Sequence, residues 1–112
     1  MRAVIRPSAR SDVLSQVSYL LDESSYSTAG RFPKAVQEAV EFLLRNPFAG
    51  TLKQYRNPRL KGLRSWPVPG FENIRVYYLR PDGDTLLVLR ILHGNRDLAR
   101  IFENEKIPPT HP

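Results

Sequence analysis

The 112-residue sequence contains no cysteine, which excludes disulfide bonds and thiolate metal sites. It has only two histidines, and no spacing of Asp, Glu and His that is typical of a metal site. It also lacks a glycine-rich phosphate loop and a serine in a nucleophile elbow. We therefore expect neither a bound metal ion nor a cofactor.

Long apolar runs are missing as well. No run approaches the roughly 20 residues that a helix needs to span a bilayer. Arg6 and Pro7 interrupt the N-terminal segment too early for the apolar stretch of a signal peptide. These absences favour a cytoplasmic protein that makes no contact with a membrane.

The composition is typical of one globular domain. Hydrophobic residues make up 41% of the chain and charged residues 25%. A chain of this length buries roughly two-thirds of the surface of its unfolded form. We predict a single domain over residues 1–106 and a flexible tail over residues 107–112, which are rich in proline.

The charge is strongly basic. The sequence has 17 Lys and Arg against 11 Asp and Glu, a net charge of +6. Such an excess serves solubility, or it attracts an acidic or polyanionic partner. The charge alone does not show whether such a partner is a nucleic acid or an acidic protein.

Two amphipathic helices are predicted after a short first strand over residues 2–6. Ser8 is the expected N-cap of the first helix, and Asn46-Pro47 ends the second, because the residue before proline disfavours helical backbone. Pro33 is expected in the first turn of the second helix or at a kink. The short polar link over residues 23–28 indicates a helical hairpin. Helical spacing places one apolar face on each helix: Val13, Leu14, Val17, Leu20 and Leu21, then Phe32, Val36, Ala39, Val40, Leu43 and Leu44.

Strands are predicted in the C-terminal half. Residues 49–62 form a loop rich in Lys and Arg, here called the basic loop, and residues 63–68 form an edge strand that contains prolines. Two further strands, 73–80 and 85–92, are joined by Pro81-Asp82-Gly83-Asp84. A short last helix follows, for which Asn95 is the expected cap.

A two-residue Asp82-Gly83 turn fixes a register for this hairpin, and the register places Arg75 directly opposite Arg90. One face is then apolar and should be covered by the helices: Ile74, Val76, Tyr78, Leu87, Leu89 and Ile91. The other face, expected to be open, has two arginines: Arg75, Tyr77, Leu79, Leu86, Val88 and Arg90.

The Arg75–Arg90 pair is unfavourable for stability, since like charges opposite each other on a sheet repel. One interpretation is that both guanidiniums extend into solvent, or that Glu72 or Glu103 lies between them. The other is a cationic patch that binds a carboxylate or phosphate, with Arg64 of the neighbouring strand as a candidate third member.

Six short segments, taken in order, carry a family resemblance: Ser8-Ala9 with Asp12, Ala29-x-Arg31-Phe32, Asn46-Pro47-x-x-Gly50, Leu60-x-Gly62-Leu63-Arg64, Ile74-Arg75-Val76-Tyr77-Tyr78, and Val88-Leu89-Arg90-Ile91-Leu92-His93-Gly94-Asn95-Arg96-Asp97. They cover nearly the whole chain and resemble the ParE/RelE superfamily of type II toxin–antitoxin toxins. The resemblance implies an α+β fold, in which the helical hairpin packs on one face of an antiparallel sheet and a short helix ends the domain. It also implies that the opposite, concave face is functional.

Two activities occur in this superfamily. RelE-like members are metal-independent endoribonucleases that cleave mRNA on the ribosome, commonly with a tyrosine near the C-terminal end, whereas ParE-like members poison DNA gyrase. Leu98 stands where the RelE-like ending has this tyrosine, and His93-x-x-Arg96-Asp97 is closer to the ParE-like (plasmid stabilization) ending. The resemblance therefore favours a gyrase poison that is not an enzyme. A third interpretation is a binding domain of this fold whose toxicity is lost or altered.

The same residues are candidates under either activity. In a nuclease, Arg64, Arg75 and Arg90 would stabilise the scissile phosphate, and Tyr77 or His93 would transfer the proton. The residues expected to bind the target or the antitoxin are Arg64, Arg75, Tyr77, Arg90, His93, Arg96 and Asp97. The expected partners are a cognate antitoxin, in a hetero-oligomer, and DNA gyrase, or the ribosome with mRNA in the alternative.

Overall fold

The computed structural model describes residues 1–106, and the predicted flexible tail, 107–112, lies outside the described residues. In chain order the elements are β1 (Arg2–Ile5), α1 (Pro7–Glu23), α2 (Tyr26–Arg45), β2 (Thr51–Leu52), a 3-10 turn (Pro58–Leu60), β3 (Arg64–Val68), β4 (Phe71–Asp82), β5 (Thr85–His93) and α3 (Leu98–Glu103). None of the described helices is both long enough and apolar enough to cross a membrane.

The helical hairpin forms as predicted, but the residues at which its two helices begin differ from those expected. Pro7 is the first residue of α1, where its missing N–H costs no hydrogen bond. Ser8 is not the cap, since its hydroxyl donates to the Leu89 carbonyl at 3.1 Å. Ser25 caps α2 by accepting from the Thr28 N–H. Pro33 therefore lies inside α2, beyond its first turn, which was one of the two positions expected for it.

The sheet has five strands in the order β1-β5-β4-β3-β2. The pairs among β2, β3, β4 and β5 are antiparallel, whereas β1 lies at one edge parallel to β5. The helical hairpin packs on one face and α3 is the short C-terminal helix, so the predicted α+β fold is confirmed, with a mixed sheet.

The predicted register of the β4–β5 hairpin is wrong. Asp82 pairs with Thr85, so the turn residues are Gly83 and Asp84, and the Asp82 carboxylate accepts from the Asp84 N–H at 2.8 Å. A β-bulge then leaves Leu89 without a partner on β4. A second irregularity lies between Leu79 and Asp82. A residue added to one strand reverses the alternation beyond it, so between the two irregularities Leu87 and Leu89 lie on the opposite face from the one predicted.

The sheet separates two apolar cores. The larger lies under the helical hairpin, where the following side chains are buried: Ala9, Phe32, Ala35, Val36, Ala39, Val40, Leu43, Val68, Ile74, Val76, Tyr78, Leu86, Val88 and Ile91. The smaller lies on the other face: Leu60, Leu63, Tyr77, Leu79, Leu89, Leu92 and Phe102. The second face, expected to be open, is thus covered in part by the basic loop and α3.

Candidate functional site

Arg75 and Arg90 are not opposite each other. Arg75 pairs with Leu92 and Arg90 with Tyr77, because the displaced turn shifts the register by two and the two irregularities that follow it cancel each other. The like-charge pair inferred from the sequence is therefore wrong. Each arginine has its own set of contacts, which decides what it offers to a ligand.

Arg90 is held by two carboxylates. Its Nε and Nη2 donate to the two oxygens of Asp12 at 2.8 and 2.9 Å, and its Nη1 donates to Glu105 at 3.1 Å. The side chains of Asp12 and Glu105 are only 11% and 8% exposed. The hydrogen bond to Asp12 raises the pKa of Arg90, against the effect of burial. This charge is already compensated within the chain, by carboxylates other than Glu72 and Glu103.

Arg75 has no carboxylate partner among residues 1–106. Its Nε donates to the Ser65 hydroxyl at 2.8 Å, and its Nη2 donates to the Ser65 carbonyl at 3.2 Å. Ser65 is completely buried, so these bonds satisfy a polar group inside the sheet. Arg75 thus fixes β4 to β3 and leaves the remaining part of its guanidinium on the second face.

Arg64 lies on the other face of the sheet. It is two residues before Trp66, whose ring stacks on Phe42 of α2, and alternate residues of a strand share a face. Its Nη1 donates to the carbonyls of Gly50 and Phe48 at 2.8 and 3.3 Å. The structure therefore separates Arg64 from Arg75, and the predicted three-arginine cluster does not assemble.

Tyr77 is completely buried in the second core. Its ring packs on Phe102, and its hydroxyl has no hydrogen-bond partner among the described residues. Burial, and to a smaller extent Tyr55, raises the pKa of Tyr77 to about 12, while Arg75 opposes the shift. In this arrangement the hydroxyl neither reaches solvent nor ionises near neutral pH.

The remaining candidates lie where β5 ends. His93 is half-buried, and its Nδ1 accepts from the Asn95 N–H at 3.4 Å. Arg96 and Asp97 are exposed. Asp97, rather than the predicted Asn95, caps α3, because its carboxylate accepts from the Arg100 N–H. Within residues 1–106, no three His, Asp or Glu side chains come close enough to hold a metal ion.

A groove between the two long helices was not predicted. It encloses about 510 Å³, has Ile5, Val36 and Ile91 among its apolar lining, and has Arg10 and Glu41 at polar positions. Leu14 also lines it and is 71% exposed, although the helical spacing had placed it on the buried face of α1. The one sign of this groove in the sequence is the large number of apolar side chains in the stripe predicted on α1. In the structure, α2 does not cover all of them.

A comparison with protein families shows to which family the chain belongs. The model described as ParE toxin of type II toxin-antitoxin system, parDE, matches residues 3–98. The chain belongs to the ParE toxin family. The match runs from β1 to the first residue of α3, so it includes the groove and most of the second face. No curated protein sequence matches the chain. As the toxin of a type II system, a ParE toxin has an antitoxin as its partner.

One segment of the resemblance has a clear structural cause in this ParE toxin. The Tyr78 hydroxyl donates to the Pro47 carbonyl at 2.8 Å and accepts from the Gly50 N–H at 3.0 Å. A Cβ at Gly50 would lie 2.5 Å from the Tyr78 oxygen and 2.9 Å from the Ser65 carbonyl. The spacing Asn46-Pro47-x-x-Gly50 therefore locks the loop after α2 onto β4.

Proposed function

We propose that this toxin arrests growth by binding DNA gyrase in the cytoplasm and stabilising its DNA-cleaved state, without chemistry of its own. The observation that carries the proposal is the dispersal of the nuclease candidates. Tyr77 is buried, Arg90 is neutralised by two carboxylates, and Arg64 lies on the opposite face from Arg75. A nuclease needs such groups together, within hydrogen-bond reach of one phosphodiester. A role in plasmid stabilization belongs to the same proposal.

The antitoxin is the second half of the proposal. We infer that an amphipathic segment of it binds the groove between α1 and α2, since a groove with an apolar floor suits the apolar face of a helix. Charge supports an acidic partner: of the 17 Lys and Arg side chains, all within residues 1–106, only Arg90 forms an ion pair there. We expect a hetero-oligomer in which the antitoxin covers Leu14.

Induced expression tests the target. We expect DNA-damage signalling and filamentation while bulk translation continues at first, and accumulation of cleaved DNA when the purified toxin is added to gyrase and plasmid. Primer extension on cellular mRNA should show no new cuts at codon positions. Rapid cuts inside translated codons, lost in His93→Gln, would instead support the alternative, a ribosome-dependent mRNA endoribonuclease.

Two lysine substitutions on α1 test where the antitoxin binds. Leu14→Lys places a charge in the groove and should weaken antitoxin binding at least about tenfold, because burying an unpaired charge is unfavourable. Tyr19→Lys is the matched control, since Tyr19 is 58% exposed and does not line the groove. Equal affinities for the two variants, measured by calorimetry, would place the antitoxin elsewhere.

A further inference from the structure

A second exposed apolar area lies at the opposite edge of the sheet from the groove. Phe48, in the loop after α2, is 66% exposed, and Leu52, in the edge strand β2, is 50% exposed. The groove is lined by Ala3 and Ile5 of β1, the strand at the other edge. A partner in the groove would therefore leave the Phe48 side of the molecule uncovered.

Two guanidinium groups share the Phe48 ring. The central carbon of Arg80 lies 4.6 Å from the ring centre, and that of Arg64 lies 5.5 Å from it. Neither arginine has a carboxylate within 4.0 Å among residues 1–106. Both arginines also affect the neighbouring Tyr78 hydroxyl. Burial raises the pKa of Tyr78, whereas the hydrogen bond from the Gly50 N–H and then the two arginines lower it.

Residues 1–106 alone do not compensate this pair of charges. The Arg80 Nε is buried without a hydrogen-bond partner among the described residues, which is unfavourable. A cation–π contact at an exposed ring offsets only part of this cost. A carboxylate has the planar shape that arginine binds through two parallel hydrogen bonds. Such a ligand would neutralise both guanidiniums at once.

We propose that Phe48, Leu52, Arg64 and Arg80 form a second docking site, which binds a polypeptide segment presenting a carboxylate beside an apolar side chain. A polypeptide is favoured over a nucleic-acid backbone because two large apolar side chains border the charges, and aromatic residues and arginine are enriched at protein interfaces. The open edge of β2 also offers backbone groups to an extended segment. The inference does not depend on gyrase as the target.

The test uses the full-length toxin labelled with ¹⁵N and two synthetic peptides, blocked at both ends. The acidic peptide has the sequence Leu-Glu-Leu-Asp, and its neutral counterpart has Leu-Gln-Leu-Asn. We expect the acidic peptide to shift the Nε–H resonances of Arg64 and Arg80 and the amide resonances of Phe48 and Leu52 in a saturable way. The neutral peptide should bind at least about tenfold more weakly, because it cannot pair with the two charges.

Arg80→Gln should reduce the affinity for the acidic peptide at least about tenfold, with an unchanged melting temperature. Arg31→Gln is the matched control, since Arg31 lies 5.9 Å from the centre of a single ring, that of Phe71. It should bind the peptide as the wild type does. Inorganic phosphate shifting the same resonances with higher affinity than the acidic peptide would overturn the proposal in favour of a nucleic-acid surface. Equal binding of both peptides, or no shift with either, would also overturn it.

Discussion

At the scale of single residues, two adjacent tyrosines of β4 have opposite surroundings. The Tyr78 hydroxyl makes two hydrogen bonds to the loop after α2, whereas the Tyr77 hydroxyl is buried without a partner among the described residues. Both rings are fully buried, so the two sites differ mainly in what the oxygen contacts. A buried hydroxyl stabilises a fold only where it is hydrogen-bonded.

Removal of each hydroxyl should therefore have different effects. Tyr78→Phe leaves the Pro47 carbonyl and the Gly50 N–H without their partner and should lower the free energy of unfolding by about 1–3 kcal/mol. Tyr77→Phe removes an unsatisfied polar atom and should leave stability unchanged or slightly higher. Denaturant unfolding measures both. A large loss of stability in Tyr77→Phe would show that its hydroxyl has a partner after all.

The same burial predicts an alkaline loss of stability. The pKa of Tyr77 is about 12 in the folded chain, above the ordinary value of 10.0, so the folded state holds this proton more tightly than the unfolded state. The contribution of this proton to the free energy of unfolding is fully present below pH 10. It is lost as the pH rises from 10 to 12, which lowers the free energy of unfolding by about 2–3 kcal/mol. Melts across this range should show a shallower decline for Tyr77→Phe. An identical decline in both proteins would contradict the assignment to Tyr77.

At the scale of elements, the Arg90 ion cluster joins three parts of the chain. Asp12 belongs to α1, Arg90 to β5, and Glu105 follows α3. Two further side chains hold the same C-terminal segment: Asn57 donates to the carbonyls of Phe102 and Glu105, and Arg6 donates to that of Lys106. The position of α3 over the second core therefore depends on groups distant in sequence.

Loss of the arginine should be costly, because it leaves two poorly exposed carboxylates uncompensated. Arg90→Met should lower the free energy of unfolding by about 3–5 kcal/mol. Arg75→Met is the matched control on the neighbouring strand, and it should cost less, since Arg75 bonds only to Ser65 and to no carboxylate among residues 1–106. Equal losses of stability in the two variants would show that the ion cluster stabilises the fold no more than the hydrogen bonds of Arg75 do.

The longer elements could be predicted from the sequence, but the register could not, nor could β2 and the 3-10 turn, which lie in the predicted loop over residues 49–62. Helical periodicity, Asn46-Pro47 and the alternation along β4 are local, and each identified its helix or strand. The bulge at Leu89 depends on α1: Ser8 donates to the Leu89 carbonyl, and Asp12 accepts from the Ile91 N–H. These contacts satisfy backbone groups around the bulge from about 80 positions away in sequence, so no local pattern indicates it.

At the scale of the whole molecule, most of the candidate site was misplaced because its arginines contact groups that are distant in sequence. The sequence correctly placed Arg75, Tyr77 and Arg90 on one strand pair, but not their partners Ser65, Asp12 and Glu105. It also gave no sign that Arg64 points to the helical side. Charge could be counted from the sequence, whereas its compensation depends on tertiary contacts that bring one arginine, and no other described cation, onto carboxylates.

The parallel pairing of β1 with β5 sets an order on biosynthesis. Arg2 and Ile5 pair with Thr85 and Val88, so the first strand has no partner until most of the chain has been made. The helical hairpin, by contrast, needs only neighbouring residues and can form early. Ile91 of β5 also completes the floor of the groove. A nascent toxin therefore cannot present the finished groove, and any partner that requires it must wait for the last strand to leave the ribosome.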